Sequence, residues 1–161
     1  MEFIVDNKFG IIYNIIMEAF DIVLDTNVVF SGLYSNKGAS FQLLSMVGKN
    51  VFNIHLSVPL VLEYEEQLKA KRKKLGLTLN DVDDVIDYLC CAGICYNEVN
   101  VFWRPCLKDP DDDMILELAI HAKADYIITH NVKDFQKVKG FRINALKPND
   151  FLHILRREEL L

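Results

Sequence analysis

The strongest constraint on this chain is the way its short, fully apolar runs end. Ile22-Val23-Leu24 stops abruptly at Asp25-Thr26-Asn27, and Tyr126-Ile127-Ile128-Thr129 stops at His130-Asn131. A β-branched run of this length, apolar at consecutive positions, fits a strand covered on both faces, as in a parallel sheet. The polar residues that follow then stand at carboxyl ends of strands, where open parallel sheets bind ligands.

The segments between these runs carry helical spacing. Phe41, Leu44 and Val47 predict a helix over about 39–48, after a Ser/Gly/Asn-rich loop from Ser31 to Gly38. Asn53-Ile54-His55-Leu56-Ser57 predicts a second strand, and Pro59 suits the first turn of a helix that runs to about 74 and stops before Gly76. Asn80 predicts the N-cap of a helix carrying Val82, Val85, Ile86 and Leu89. Alternation over residues 98–103 predicts a strand with one covered face. Asp109-Pro110-Asp111-Asp112-Asp113 opens a helix with Ile115, Leu118, Ala119 and Ala122 on its apolar stripe. A weak strand at 143–146 and a last helix from Pro148-Asn149-Asp150 complete the pattern. Strands alternating with helices predict an α/β domain on a mainly parallel sheet of about five strands.

At 161 residues, one domain is expected over 21–161, with residues 1–20 as an N-terminal extension or an added helix. Those first residues are apolar but lack a basic leader and a small-residue cleavage site, so no secretory signal is expected. No apolar run approaches a membrane span of roughly 20 residues, and a cytoplasmic location follows as an expectation. Cys90, Cys91, Cys95 and Cys106 make no C-x-x-C pair, so they are expected to be reduced thiols packed as small apolar residues rather than zinc ligands. A net charge of −5 argues against capture of nucleic acid by a general positive field.

The position of the acids matters more than their sum. Asp25 ends the first strand, Glu63 follows the second, Asp113 lies in the first turn of a later helix, and Asp134 follows the Ile127-Ile128 strand. Four carboxylates on one rim would repel one another unless a hard divalent cation, Mg²⁺ or Mn²⁺, neutralised them. Such an ion acidifies a bound water and stabilises charge on a phosphate. Asp113 is chosen from its run because it stands nearest the apolar stripe, the other acids being read as caps. Asn27, Ser31, Thr129 and Asn131 are candidates to position substrate or water. Lys69, Lys71, Arg72, Lys73 and Lys74 offer phosphate contacts, or simply a solvated helix end. Tyr34 is a candidate to stack on a base.

Taken in order, Ile-Val-Leu-Asp25-Thr-Asn27-Val-Val-Phe-Ser31-Gly, Ser57-Val-Pro-Leu-Val-Leu-Glu63-Tyr, Asp109-Pro-Asp-Asp-Asp113-Met-Ile-Leu-Glu-Leu-Ala and Ala124-Asp-Tyr-Ile-Ile-Thr129-His-Asn131-Val-Lys-Asp134-Phe resemble the PIN domain family. The likeness covers about residues 21–157 and is nearest to the prokaryotic toxin components of toxin–antitoxin systems. It implies a three-layer α/β/α sandwich and a Mg²⁺- or Mn²⁺-dependent endoribonuclease acting on single-stranded RNA. An antitoxin protein is implied as partner, and homodimers are common in the family. The resemblance places Asp25, Glu63 and Asp113 at the three principal acids. Many relatives carry a fourth acid where this chain has Asn131, and Asp134 either takes over that role or is structural. Two other readings stay open at this point. One is a PIN-like domain that binds RNA or protein without cleaving. The other is a haloacid-dehalogenase-like phosphatase, although the second aspartate of that pattern is Asn27 here.

Overall fold

The computed structural model describes residues 19–100, 107, 109–135, 142–158, 160 and 161. Most of the N-terminal extension, part of the strand expected at 98–103 and Cys106 lie outside the described residues.

The sheet has five parallel strands in the order β3-β2-β1-β4-β5: β1 (Phe20–Leu24), β2 (Phe52–Ser57), β3 (Ile94–Tyr96), β4 (Tyr126–Ile128) and β5 (Asn144–Leu146). Among the described residues six helices connect and cover it: α1 (Thr26–Tyr34), α2 (Ala39–Met46), α3 (Val58–Leu75), α4 (Leu79–Ala92), α5 (Pro110–Ala122) and α6 (Pro148–Arg157). The expected α/β fold on a parallel sheet is therefore present. β1 is central because its apolar run tolerates cover on both faces: Ile22, Val23 and Leu24 are all buried, paired with Ile54 on one side and Tyr126 to Ile128 on the other. The chain builds outward from β1 to β2 and β3, then crosses back to place β4 on the other side. The order thus reverses between β1 and β4, and their carboxyl ends frame the crevice where such folds bind ligands.

The helices are set by caps as well as by stripes. In α3, Ser57 accepts a hydrogen bond from the Leu60 amide, Pro59 lies in the first turn, and Gly76 closes the end in the left-handed conformation at φ 71°. Its buried stripe is Leu60, Tyr64 and Leu68, spaced at i, i+4 and i+8. The Tyr64 hydroxyl donates to the Leu24 carbonyl, which fixes α3 against the end of β1. Phe151 of α6 packs edge-on against Phe20 and Phe52 and at a tilt against Tyr126, joining three strands to the last helix. At the start of β1, Asp21 accepts from Asn53 and lies 2.9 Å from Nε2 of buried His55, whose Nδ1 is 3.0 Å from the Tyr96 hydroxyl. Among the described residues no helix is long and apolar enough to cross a membrane.

Four details differ from the sequence expectations. Helix α1 begins directly after Asp25 instead of a polar loop, and only residues 35–38 connect it to α2. Thr78, not Asn80, caps α4, through a capping box with Asp81. A strand not expected from the sequence, Ile94–Tyr96, extends the sheet beside His55 to Ser57, and of the strand expected at 98–103 the described residues 98–100 are not strand. All three described thiols are free, but only Cys90 packs against the core as expected, whereas Cys91 and Cys95 are exposed.

Candidate active site

Asp25 is the pivot of the crevice. Its amide donates to the Ile128 carbonyl at 2.9 Å, extending the β1–β4 ladder by one residue, while its carbonyl accepts from Val28 to begin α1. The side chain is buried and doubly held. Oδ1 accepts from the Asn27 amide at 3.2 Å as the helix N-cap, and Oδ2 accepts from the Thr129 hydroxyl at 2.6 Å. Thr129 Oγ1 in turn accepts from the Asn131 amide at 2.9 Å, which shapes the turn after β4. Thr129 is wholly buried, so its hydroxyl serves Asp25 and that turn, not a ligand.

Glu63 reaches the same crevice from the second turn of α3. Its Oε1 accepts from the Thr26 hydroxyl at 2.7 Å, while Oε2 is buried and has no hydrogen-bond partner among the described residues. Burial pushes the Glu63 pKa up, the Thr26 hydrogen bond lowers it, and Asp111, Asp25 and Asp109 raise it further. A buried carboxylate oxygen without a donor is costly unless something positive meets it.

From α5, Asp109 caps the helix by accepting from the Asp111 amide at 3.1 Å, and Asp111 and Asp112 line the crevice. Burial pushes the pKa of Asp112 up to about 6, with Asp25, Asp109, Asp134 and Asp111 adding repulsion. Asp113, the residue singled out from sequence, does not line the crevice. It is buried, and its Oδ1 accepts from the Leu107 amide at 2.7 Å. The physical reason is helical: neighbouring residues point about 100° apart. The residue nearest the apolar stripe is therefore turned inward, and Asp112 faces the cleft.

The cleft has a volume of about 210 Å³ and is lined by Asp25, Glu63, Asp109, Asp111, Asp112 and Asp134. Asn27, Gln67 and Asn131 add polar amides to the wall. The structure therefore brings together Asp25, Glu63, Asp134, Asn27 and Asn131 from the sequence candidates. Asp109, Asp111, Asp112 and Gln67 were not selected, although the Asp109 to Asp113 run itself was the signal. Ser31 lies elsewhere, in a pocket of about 310 Å³ shared with Tyr34, His130 and Lys147. A larger cavity of about 420 Å³ between α1, α2 and α4 is lined mainly by apolar side chains such as Phe41, Leu44 and Tyr88. It lacks the convergent acids, so size does not select it.

Among the described residues no three His, Cys, Asp or Glu side chains already stand close enough to hold a metal ion. The donor set nonetheless fits a hard cation: all carboxylate and amide oxygens, one of them buried and unpartnered among the described residues, with burial and then mutual repulsion raising two pKa values. The spread of the acids suits Mg²⁺, which keeps several of its waters.

Of the basic run, Lys69 is bound to Glu65 and lies 3.0 Å from Asp83, and Arg72 donates to the Lys69 carbonyl at 2.9 Å. Lys71 and Lys74 instead lie over the rings of Phe30 and Tyr34. Lys73 is exposed in the last turn of α3.

A family model described as PIN domain matches residues 21–133. Among solved structures, a chain in the crystal structure of VapBC2 from Rickettsia felis bound to a DNA fragment from their promoter is similar in fold. The TM-score is 0.57 at 17% identity, over 80% of this chain and 100% of that one. No curated protein matches the chain.

Proposed function

Because the chain belongs to the PIN domain family, we propose that it is a nuclease that hydrolyses single-stranded RNA with Mg²⁺ or Mn²⁺, and that it acts as the toxin of a toxin–antitoxin pair. The observation that carries the metal-dependent reading is the buried Oε2 of Glu63, unpartnered among the described residues, on a wall shared with five aspartates. The cation would be held by Asp25, Glu63 and Asp112, directly or through water. When bound, it supplies charge neutralisation at the phosphate and a more acidic water.

The chain's own residues do the rest. Thr129 and the Asn27 amide fix both oxygens of Asp25, so this ligand needs no reordering. Asn131 and Asp134, on the turn after β4, face the cleft and orient the attacking water, with Asp134 accepting its proton. The water oxygen bonds to phosphorus as the bond to the 3′ oxygen breaks, and no covalent enzyme intermediate forms. Asn131 stands where many relatives carry an acid, so Asp134 supplies the fourth charge.

The toxin reading rests on the likeness of the sequence to that branch of the family, and VapBC2 contains a chain of the same fold. An antitoxin is expected to cover the acidic rim with a cation of its own. A homodimer in the cytoplasm is the expected state.

The test incubates purified protein with labelled single-stranded RNA in Mn²⁺ or in EDTA, beside Asp25→Asn. Asparagine keeps the N-cap, so the fold survives while a ligand charge is lost. Cleavage only in Mn²⁺ and only by the wild type is expected. Cleavage in EDTA, or full activity of Asp25→Asn, would refute the mechanism.

A further inference from the structure

An acidic cleft repels the phosphates it is proposed to cut, so the grip on RNA must come from outside it. The two helices that wall the cleft continue into a surface of the opposite character. On α3, Glu63 and Gln67 line the cleft, and Lys71 and Lys74 follow them at i+8 and i+11 from Glu63, on the same face. On α1, Asn27 lines the cleft, and Phe30 and Tyr34 follow at i+3 and i+7. At the helical rise, Lys71 and Lys74 stand about 12 and 17 Å along α3 from Glu63.

There the side chains of the two helices meet. The Phe30 and Tyr34 rings stack with centroids 6.0 Å apart and planes 11° from parallel. Lys71 Nζ lies 5.0 Å from the Phe30 centroid, and Lys74 Nζ lies 5.0 Å from that of Tyr34 and 5.8 Å from that of Phe30. Tyr34 is 56% exposed, a large ring offered to solvent. Neither lysine is paired with an acid among the described residues, in contrast to Lys69. Ordered rings interleaved with cations that no described acid neutralises, in line with the acidic cleft, are what a single strand needs: stacking for bases and charge for the backbone.

We propose that Phe30, Tyr34, Lys71 and Lys74 form a platform for single-stranded RNA that takes the base and flanking phosphates of a nucleotide a few positions from the bond lying at the acidic cleft. The proposal rests on the nuclease reading for its substrate, and it adds the residues that hold that substrate. It also divides the basic run: Lys71 and Lys74 contact RNA, while Lys69 and Arg72 serve the helix and its packing.

The test measures binding of a short, labelled, mixed-sequence single-stranded RNA by fluorescence anisotropy in EDTA, so that cleavage plays no part. Tyr34→Ala is expected to weaken binding by about 5- to 150-fold, the usual range for one stacked base. Tyr34→Phe, which keeps the ring face, restores the affinity. The pair Lys71→Ala with Lys74→Ala reduces the slope of log K against log salt by about 1.4, from roughly 0.7 per phosphate contact. All three side chains are exposed, and melting curves check that the variants are folded. Unchanged RNA affinity in Tyr34→Ala, or an unchanged salt slope in the lysine pair, overturns the platform, even if the same variants weaken a protein partner. RNA that stays intact in Mn²⁺ while Tyr34→Ala still impairs its binding refutes the nuclease reading and leaves the platform standing.

Discussion

Replacing Asp112 by Asn tests whether the cleft holds unneutralised negative charge. In the folded protein its carboxyl has a pKa of about 6, against 3.8 for the ordinary side chain, because it is partly buried and faces Asp25, Asp109, Asp134 and Asp111. A carboxyl with a raised pKa binds its proton more tightly in the folded chain than in the unfolded one. Its ionisation therefore costs stability, fully above about pH 6 and not at all below about pH 3.8. Without screening that cost would be about 3 kcal/mol. Asp112 is only partly buried, and screening by the water that still reaches it reduces the figure to about 1 kcal/mol. In a chain of this length, that corresponds to a rise of about 2–4 °C in Tm for Asp112→Asn at neutral pH without divalent ions. Calorimetric melts at about pH 7.5 and about pH 5 should show the gap shrinking at the lower value as the wild-type carboxyl takes up its proton. Added Mg²⁺ should then stabilise the wild type more than the variant. An Asn variant less stable than wild type at neutral pH in EDTA would refute the reasoning, as would a gap independent of pH.

Two further outcomes follow from the hydrogen bonds beneath the cleft. Thr129→Val removes the donor to Asp25 and the acceptor for the Asn131 amide in a fully buried position. It should cost about 1–3 kcal/mol in a denaturant melt and weaken Mn²⁺ binding by calorimetry, both recovered in Thr129→Ser. Asp113→Asn keeps an oxygen for the Leu107 amide and should titrate Mn²⁺ as the wild type does. Loss of Mn²⁺ binding in a stable Asp113→Asn would return that residue to the metal site and displace Asp112.

Much of this was legible in the chain because the central strands are short and wholly apolar. Ile22 to Leu24 and Tyr126 to Ile128 announce both their burial and the polar residues at their ends, and those ends do form the crevice. The start of α1 was hidden because Val28, Val29 and Phe30 are poor helix formers. The helix exists through the Asp25 cap and the burial of Val28 and Val29, which are tertiary facts. Three consecutive aspartates carry no local mark of which one faces out. That choice follows from the rotation of α5 over the sheet and from the Leu107 amide that claims Asp113. The three-residue β3 was missed because its place is set by pairing with His55 to Ser57 rather than by its own pattern. The division of the basic run depends on Asp83 of α4 and on the rings of α1, which sequence proximity does not reveal.

The double duty of Asp25 makes the site unequal in the ways it can be silenced. Its carboxylate both starts α1 and ties β1 to the residue after β4, so most replacements there loosen the scaffold along with the chemistry. Losing the Asp112 charge, by contrast, is expected to end the cost of its burial and its repulsion and to leave the scaffold firmer. If carrying the active protein harms a cell, surviving lineages should accumulate changes at Asp112 well before Asp25. An inactive descendant of this chain would then keep its first aspartate as a relic of architecture.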